Sequence, residues 1–188
     1  SFGNGLLVDF YLIKVDGNGN QLWDQVFTQS HESSGNSVEQ TIDGGYILCG
    51  SKRSTINGIN DVYLIKTDEN GVEQWSEDYG SESLSEIGYS VQQTIDEGYI
   101  ISGVKENITQ GLSEIYLVKT DENGNYLWNK TLGGVNSDES YSVQQTNDLG
   151  YIISGWTESS GNGNKDVYLI KTDNNGDSLW TKTFGGTG

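Results

Sequence analysis

The sequence predicts an all-β fold, a β-propeller built from four-stranded antiparallel blades of about 52 residues each. Three observations carry that prediction. Trp23, Trp75, Trp128 and Trp180 recur at steps of 52, 53 and 52 residues, and Tyr11, Tyr63, Tyr116 and Tyr168 keep the same steps. Two phrases alternate along the chain: FYLIKVDGNGNQLW, VYLIKTDENGVEQW, IYLVKTDENGNYLW and VYLIKTDNNGDSLW for one, NSVEQTIDGGYILCG, YSVQQTIDEGYIISG and YSVQQTNDLGYIISG for the other. Helix signals are absent, and each full repeat holds four short runs of β-formers separated by turn residues.

Each run has a local reason to be a strand. Tyr-Leu-Ile-Lys-Thr is rich in β-formers and stops at Asp-x-Asn-Gly, where glycine supplies the positive φ of a tight hairpin; the next strand begins at the tryptophan. The second phrase opens with Ser-Val-Gln-Gln-Thr and turns at Asp43, Asp96 or Asp148 with a following glycine. It returns as Gly-Tyr-Ile-Ile-Ser-Gly. Neither face of these strands is wholly polar, as expected where neighbouring sheets cover both.

Phrases of the form DVYLIKTDxNGxxLWxKTxGG and YSVQQTxDGGYIISG make the chain resemble the β-propeller repeats of secreted and cell-surface proteins of bacteria and archaea. The resemblance covers essentially the whole chain. The stretch from Tyr-Leu-Ile-Lys to Trp also resembles the tryptophan-docking phrase of pyrroloquinoline quinone propellers, in which tryptophans wedge between blades. That likeness implies a register with Val-Gln-Gln innermost, Gly-Tyr-Ile-Ile second, Tyr-Leu-Ile-Lys third and the tryptophan strand outermost. Residues 1–34 then form the outer two strands of an incomplete blade, and residues 35–80, 81–133 and 134–188 form whole blades. Three and a half blades fall short of the four to eight that close a ring. The chain is therefore expected to be part of a larger ring, or to complete its sheets with other copies through open strand edges.

Composition narrows the partners. A formal net charge of −17 opposes nucleic acid and the anionic face of a membrane, and no apolar run is long enough to cross a bilayer. The chain has no methionine, so residue 1 is not expected to be a translation start. One cysteine, Cys49, excludes an internal disulfide and a thiolate metal cluster; Ser102 and Ser154 hold its place in later repeats, so it reads as a small buried residue. Acidity, the single cysteine and the resemblance place the protein outside the cell or on its surface.

Candidate sites are sought where the repeat breaks. Trp156 stands where other repeats have Ser51 and Val104, and with Thr157, Glu158 and Asn162 it is the candidate ligand contact, in a loop running to Asn164. Gln40, Gln93 and Gln145, preceded by Glu39, Gln92 and Gln144, recur on the presumed innermost strand; they are candidates to line a central channel, with structural amide pairing the favoured reading.

Asp16 and Asn18, Asp121 and Asn123, and Asp173 and Asn175 alternate like the start of a calcium loop. The match fails, because glycine is fourth rather than sixth and the twelfth positions are Phe27, Leu132 and Phe184. A plain hairpin is the expectation there, weak calcium binding the alternative. No other metal site and no cofactor is expected. Lys14, Lys66, Lys119 and Lys171 recur two residues before Asp16, Asp68, Asp121 and Asp173, and read as structural ion pairs.

The lone His31 has no histidine partner for a metal site or relay and reads as a surface residue. Nucleophile elbow, phosphate loop, dinucleotide fingerprint and zinc spacing are all missing, so no catalytic residue and no enzyme is expected. Asn107 and Asn129 fit the glycosylation pattern. The expected function is a non-enzymatic scaffold, adhesion or protein-interaction module. A glycan-binding propeller and a self-assembling structural protein are the alternatives, with a protein or glycan at the cell surface as partner.

Overall fold

The computed structural model describes residues 9–27, 31–54, 58–162 and 164–186; Gly163 of the candidate loop and Thr187 and Gly188 lie outside these. Among the described residues there are fourteen strands and no helix. They are β1 (Phe10–Val15), β2 (Gln21–Phe27), β3 (Ser33–Gln40), β4 (Tyr46–Arg53), β5 (Asn60–Thr67), β6 (Glu73–Tyr79), β7 (Ser85–Gln93), β8 (Tyr99–Asn107), β9 (Leu112–Thr120), β10 (Tyr126–Leu132), β11 (Asp138–Gln145), β12 (Tyr151–Thr157), β13 (Asp166–Thr172) and β14 (Ser178–Phe184).

These strands form one two-stranded sheet, β1-β2, and three four-stranded sheets, β3-β4-β5-β6, β7-β8-β9-β10 and β11-β12-β13-β14. Every neighbouring pair is antiparallel and consecutive in sequence. The strand ending in Val38-Glu39-Gln40, Val91-Gln92-Gln93 or Val143-Gln144-Gln145 is first in each full sheet and the tryptophan strand last. No helix among the described residues is long and apolar enough to cross a membrane.

Burial follows from how the sheets stack. Strand β7 packs against β3, β4 and β5, and β11 packs against β7, β8 and β9. Residues 62–67 and 115–120 are consequently buried without a break, whereas in the last sheet Val167 is exposed between buried neighbours. Coverage on both faces erases the period-two pattern, and coverage on one restores it.

An apolar cluster lies at each boundary. Leu64, Val91, Ile101 and Val118 join the second and third sheets; Leu117, Val143, Ile153 and Ile170 join the third and fourth. Cys49 is buried in the first of these clusters, and that burial pushes its thiol pKa up, away from reactivity.

The recurrent tryptophans meet glycines of the following sheet. A Cβ on Gly71 would come within 2.7 Å of Trp23, one on Gly124 within 2.8 Å of Trp75 and one on Gly176 within 2.8 Å of Trp128. Trp23, Trp75 and Trp128 also stand edge-on to Tyr46, Tyr99 and Tyr151, with ring centroids 5.8–6.0 Å apart. The glycines have φ near +80°, so each serves both its hairpin and the ring lying on it. Trp180, in the last sheet, is 43% exposed, and Gly19 has nothing within 4 Å of its would-be Cβ.

The first strand of every full sheet carries a bulge. Register shifts fall between Gly35 and Ser37, Gly88 and Ser90, and Ser140 and Ser142, leaving Asn36, Tyr89 and Tyr141 as the extra residues. Bulges re-aim side chains. Asn36 donates across the sheet boundary to the Gly88 carbonyl at 2.9 Å, and Tyr141 enters the site described next.

Candidate functional site

Three segments converge at one end of the third and fourth sheets: the β8-β9 connection, the β10-β11 connection and the loop after β12. Between them lies a cleft of about 400 Å³, within the ~300–1,000 Å³ span usual for ligand sites. Glu106, Asn107 and Leu112 line it from the third sheet, and Glu139, Trp156 and Glu158 from the fourth, with Lys165 beside them.

Trp156 is held at both its polar edge and its face. Its Nε1 donates to the Tyr141 hydroxyl at 3.1 Å, and that hydroxyl donates to Glu139 Oε2 at 2.9 Å. Tyr141 in turn packs on Tyr89 of the preceding sheet, ring centroids 5.4 Å apart. The Trp156 N–H favours the phenolate, but burial and the Glu139 carboxylate outweigh it and hold the Tyr141 phenol above its ordinary pKa. Lys165 Nζ sits 3.5 Å from the Trp156 ring centroid, a cation–π contact. The cleft thus combines a fixed indole, one cation and three carboxylates, from Glu106, Glu139 and Glu158.

No protein-family model matches the chain, and no curated protein matches it significantly.

Of the residues singled out in the sequence, Trp156 and Glu158 line the cleft together. Thr157 is fully buried on the opposite face of β12, where its hydroxyl accepts from the Ser159 N–H at 2.9 Å. Asn162 is exposed and donates its backbone N–H to Asp166 at 2.8 Å. Lys165, Glu139 and Tyr141 belong to the arrangement and were not singled out. Two of them also break the repeat: Lys165 stands where Asn60 and Ser113 do, and Glu139 where Ser34 and Ile87 do.

The glutamines are occupied in holding the first strands together. Gln40, Gln93 and Gln145 each donate Nε2 to a carbonyl of their own hairpin, at Gly44, Glu97 and Leu149. Gln93 and Gln145 also accept from the Ile42 and Ile95 N–H groups of the preceding sheet, both at 2.9 Å.

At the hairpins, Asp16, Asp121 and Asp173 each accept two backbone N–H bonds from the turn they begin, Asp16 from Asn18 and Asn20, Asp121 from Asn123 and Asn125. Among the described residues no group of three or more His, Cys, Asp or Glu side chains is placed to hold a metal ion. His31 is half-buried. Asn107 turns its Oδ1 onto the N–H groups of Thr109 and Gln110, while Asn129 donates to the Tyr126 hydroxyl. No histidine or cysteine lines the cleft.

Proposed function

We propose that the sheets are blades of a β-propeller, with boundaries close to those expected from the sequence, the first full blade beginning with β3 at Ser33 in place of residue 35, and that the protein is a non-enzymatic interaction module of the cell exterior or surface. Its partner, a protein or a glycan, docks at the Trp156 cleft. One observation carries the assignment: Trp156, Lys165 and Glu139 all depart from the repeat and all meet at this cleft, whereas the residues that recur in every repeat are spent on hairpins and sheet boundaries. A saccharide is the ligand class we favour among small molecules, because an indole face flanked by carboxylates and the Asn107 amide offers stacking together with hydrogen bonds to hydroxyls.

A glycan array and a surface-protein binding screen test this, with wild type beside Trp156→Ala. Loss of at least tenfold in affinity is expected, equivalent to about 1.4 kcal/mol. Binding that Trp156→Ala leaves unchanged overturns the site, and a wild type that binds nothing overturns the function.

A second reading, assembly between copies, is favoured by two open features. Trp180 is exposed whereas Trp23, Trp75 and Trp128 are half-buried, and β1 is paired on one edge only among the described residues. A sheet of the same design would cover the first, and strand addition the second. Light scattering is expected to show a mass above that of the monomer, reduced by Trp180→Asp; a monomeric wild type at high concentration excludes this reading.

A further inference from the structure

Asp138 is completely buried, and one of its carboxylate oxygens has no partner. Oδ2 accepts from the Gly134 N–H at 2.8 Å and from the Ser159 hydroxyl at 2.7 Å; Oδ1 accepts nothing. A buried carboxylate oxygen without a donor is costly, and its presence calls for an occupant.

The repeat shows what that occupant replaces. Asp138 pairs with Thr157, and Thr157 pairs with Asp166, so the three side chains stand in a row on one face of the fourth sheet. The matching row of the third sheet is Glu86, Lys105 and Glu114. There the fully buried Glu86 is compensated: Ser81 donates to both its oxygens, and Lys105 Nζ lies 3.7 Å from Oε1. The second sheet also has a lysine in the central place, Lys52, between Ser33 and Asp61. Only the fourth sheet keeps acids at both ends of the row and puts an uncharged residue between them. Thr157 and Asp166 are both buried, Asp166 at 4% exposure, so water does not screen the pair as it would at a surface.

We propose that a small hard cation occupies the place of the missing lysine, bound through Asp138 Oδ1, with Asp166 as the second charge of the row. One or two carboxylates do not complete a shell, and the remaining ligands are main-chain or water oxygens, which cations of the calcium class accept. The site is separate from the cleft but adjoins it. Asp138 ties Gly134 to Ser159, and the segments bearing those residues also carry the cleft residues Ser137 and Glu158. Occupancy therefore stiffens two of the three segments around Trp156.

The experiment is calorimetric melting in calcium and in chelator, with calcium titration to obtain the stoichiometry, on wild type, Asp138→Asn, Thr157→Lys and Asp173→Asn. Wild type is expected to melt about 5–10 °C higher at a calcium concentration a hundred times Kd. Asp138→Asn keeps the Oδ2 acceptor and removes the charge, so it is expected to melt in chelator no lower than wild type and to ignore calcium. Thr157→Lys restores the counter-ion seen in the other sheets and is expected to lose the response as well. Asp173→Asn, in a hairpin turn, is expected to respond like wild type. A wild type indifferent to calcium overturns the proposal. A response that survives in Asp138→Asn but vanishes in Asp173→Asn also overturns it, assigning the ion to the turns.

Discussion

Gly103→Ala is expected to destabilise the protein by about 3 kcal/mol or more, at or beyond the upper end of what overpacking usually costs. A Cβ at Gly103 would fall on the Ile87 carbonyl oxygen, with the Ile87 carbonyl carbon 2.9 Å and the Gly88 α-carbon 3.0 Å away. These are backbone atoms of the paired first strand at its bulge, so no rotamer change relieves the clash; β7 has to slide or the bulge has to open. Either movement disturbs Val91 and Tyr89, which face the neighbouring sheets. Gly50 and Gly155 stand in the same relation to the Ser34 and Glu139 carbonyls, so the requirement belongs to the repeat. Urea unfolding of Gly103→Ala beside Gly186→Ala measures it, because a Cβ at Gly186 meets nothing within 4 Å. A cost under about 1 kcal/mol at Gly103 would show that the bulge is not held where it is described.

That bulge also marks the limit of what the sequence makes legible. Strand type and order within a sheet can be read from the chain because hairpin turns, β-formers and tryptophan steps all repeat and agree with one another. The extra residue at Asn36, Tyr89 and Tyr141 repeats too, so comparing the chain with itself leaves it invisible. Tyr141 was missed for this reason: its place is filled by Tyr89 one repeat earlier, and no break announces that its hydroxyl holds the Trp156 indole. Trp156 was found because it does break the pattern. Lys165 and Glu139 break it as well, but they lie in different segments, and only the fold brings them to one indole.

Thr157 teaches the opposite lesson. Its neighbour in sequence is in the cleft, yet alternation along β12 turns Thr157 to the buried face, where its difference from Lys52 and Lys105 acquires another meaning. The recurrent glutamines follow a simpler logic. An amide next to a hairpin finds carbonyls and N–H groups nearby, and a channel ligand has to compete with those bonds.

Asp96→Ala is expected to cost far more stability than Lys119→Met, although the two substitutions break the same ion pair. Lys119 Nζ lies 3.1 Å from the Asp96 carboxylate and 2.8 Å from the Thr120 carbonyl, with the lysine side chain 4% exposed and the aspartate 58%. Removing Asp96 leaves an ammonium in a nearly dry place with one neutral acceptor, the situation that costs roughly 3 kcal/mol or more. Removing the lysine charge leaves a carboxylate that water already reaches, so Lys119→Met is expected within about 1 kcal/mol of wild type. Denaturant midpoints of the two variants decide it, and equal costs would place Lys119 in contact with water.

The same pairs set the acid limit of stability. Burial raises the Asp43 carboxyl pKa, but bonds from Lys66, Thr41 and Gly45 outweigh it and bring the group from 3.8 down to about 2. Bonds from Thr146 and Lys171 bring Asp148 to about 2, and Asp96 is lowered in the same way by Thr94 and Lys119. A carboxyl depressed in the folded state binds its proton more readily when unfolded, so its contribution is complete above the unfolded value near 3.8 and disappears as pH falls through the folded value. Stability is therefore expected to fall steeply between about pH 4 and pH 2. In Asp96→Ala that acid slope is expected to be shallower, since one of the depressed carboxyls that take up a proton is gone; an unchanged slope would mean that the pair does not contribute to acid unfolding.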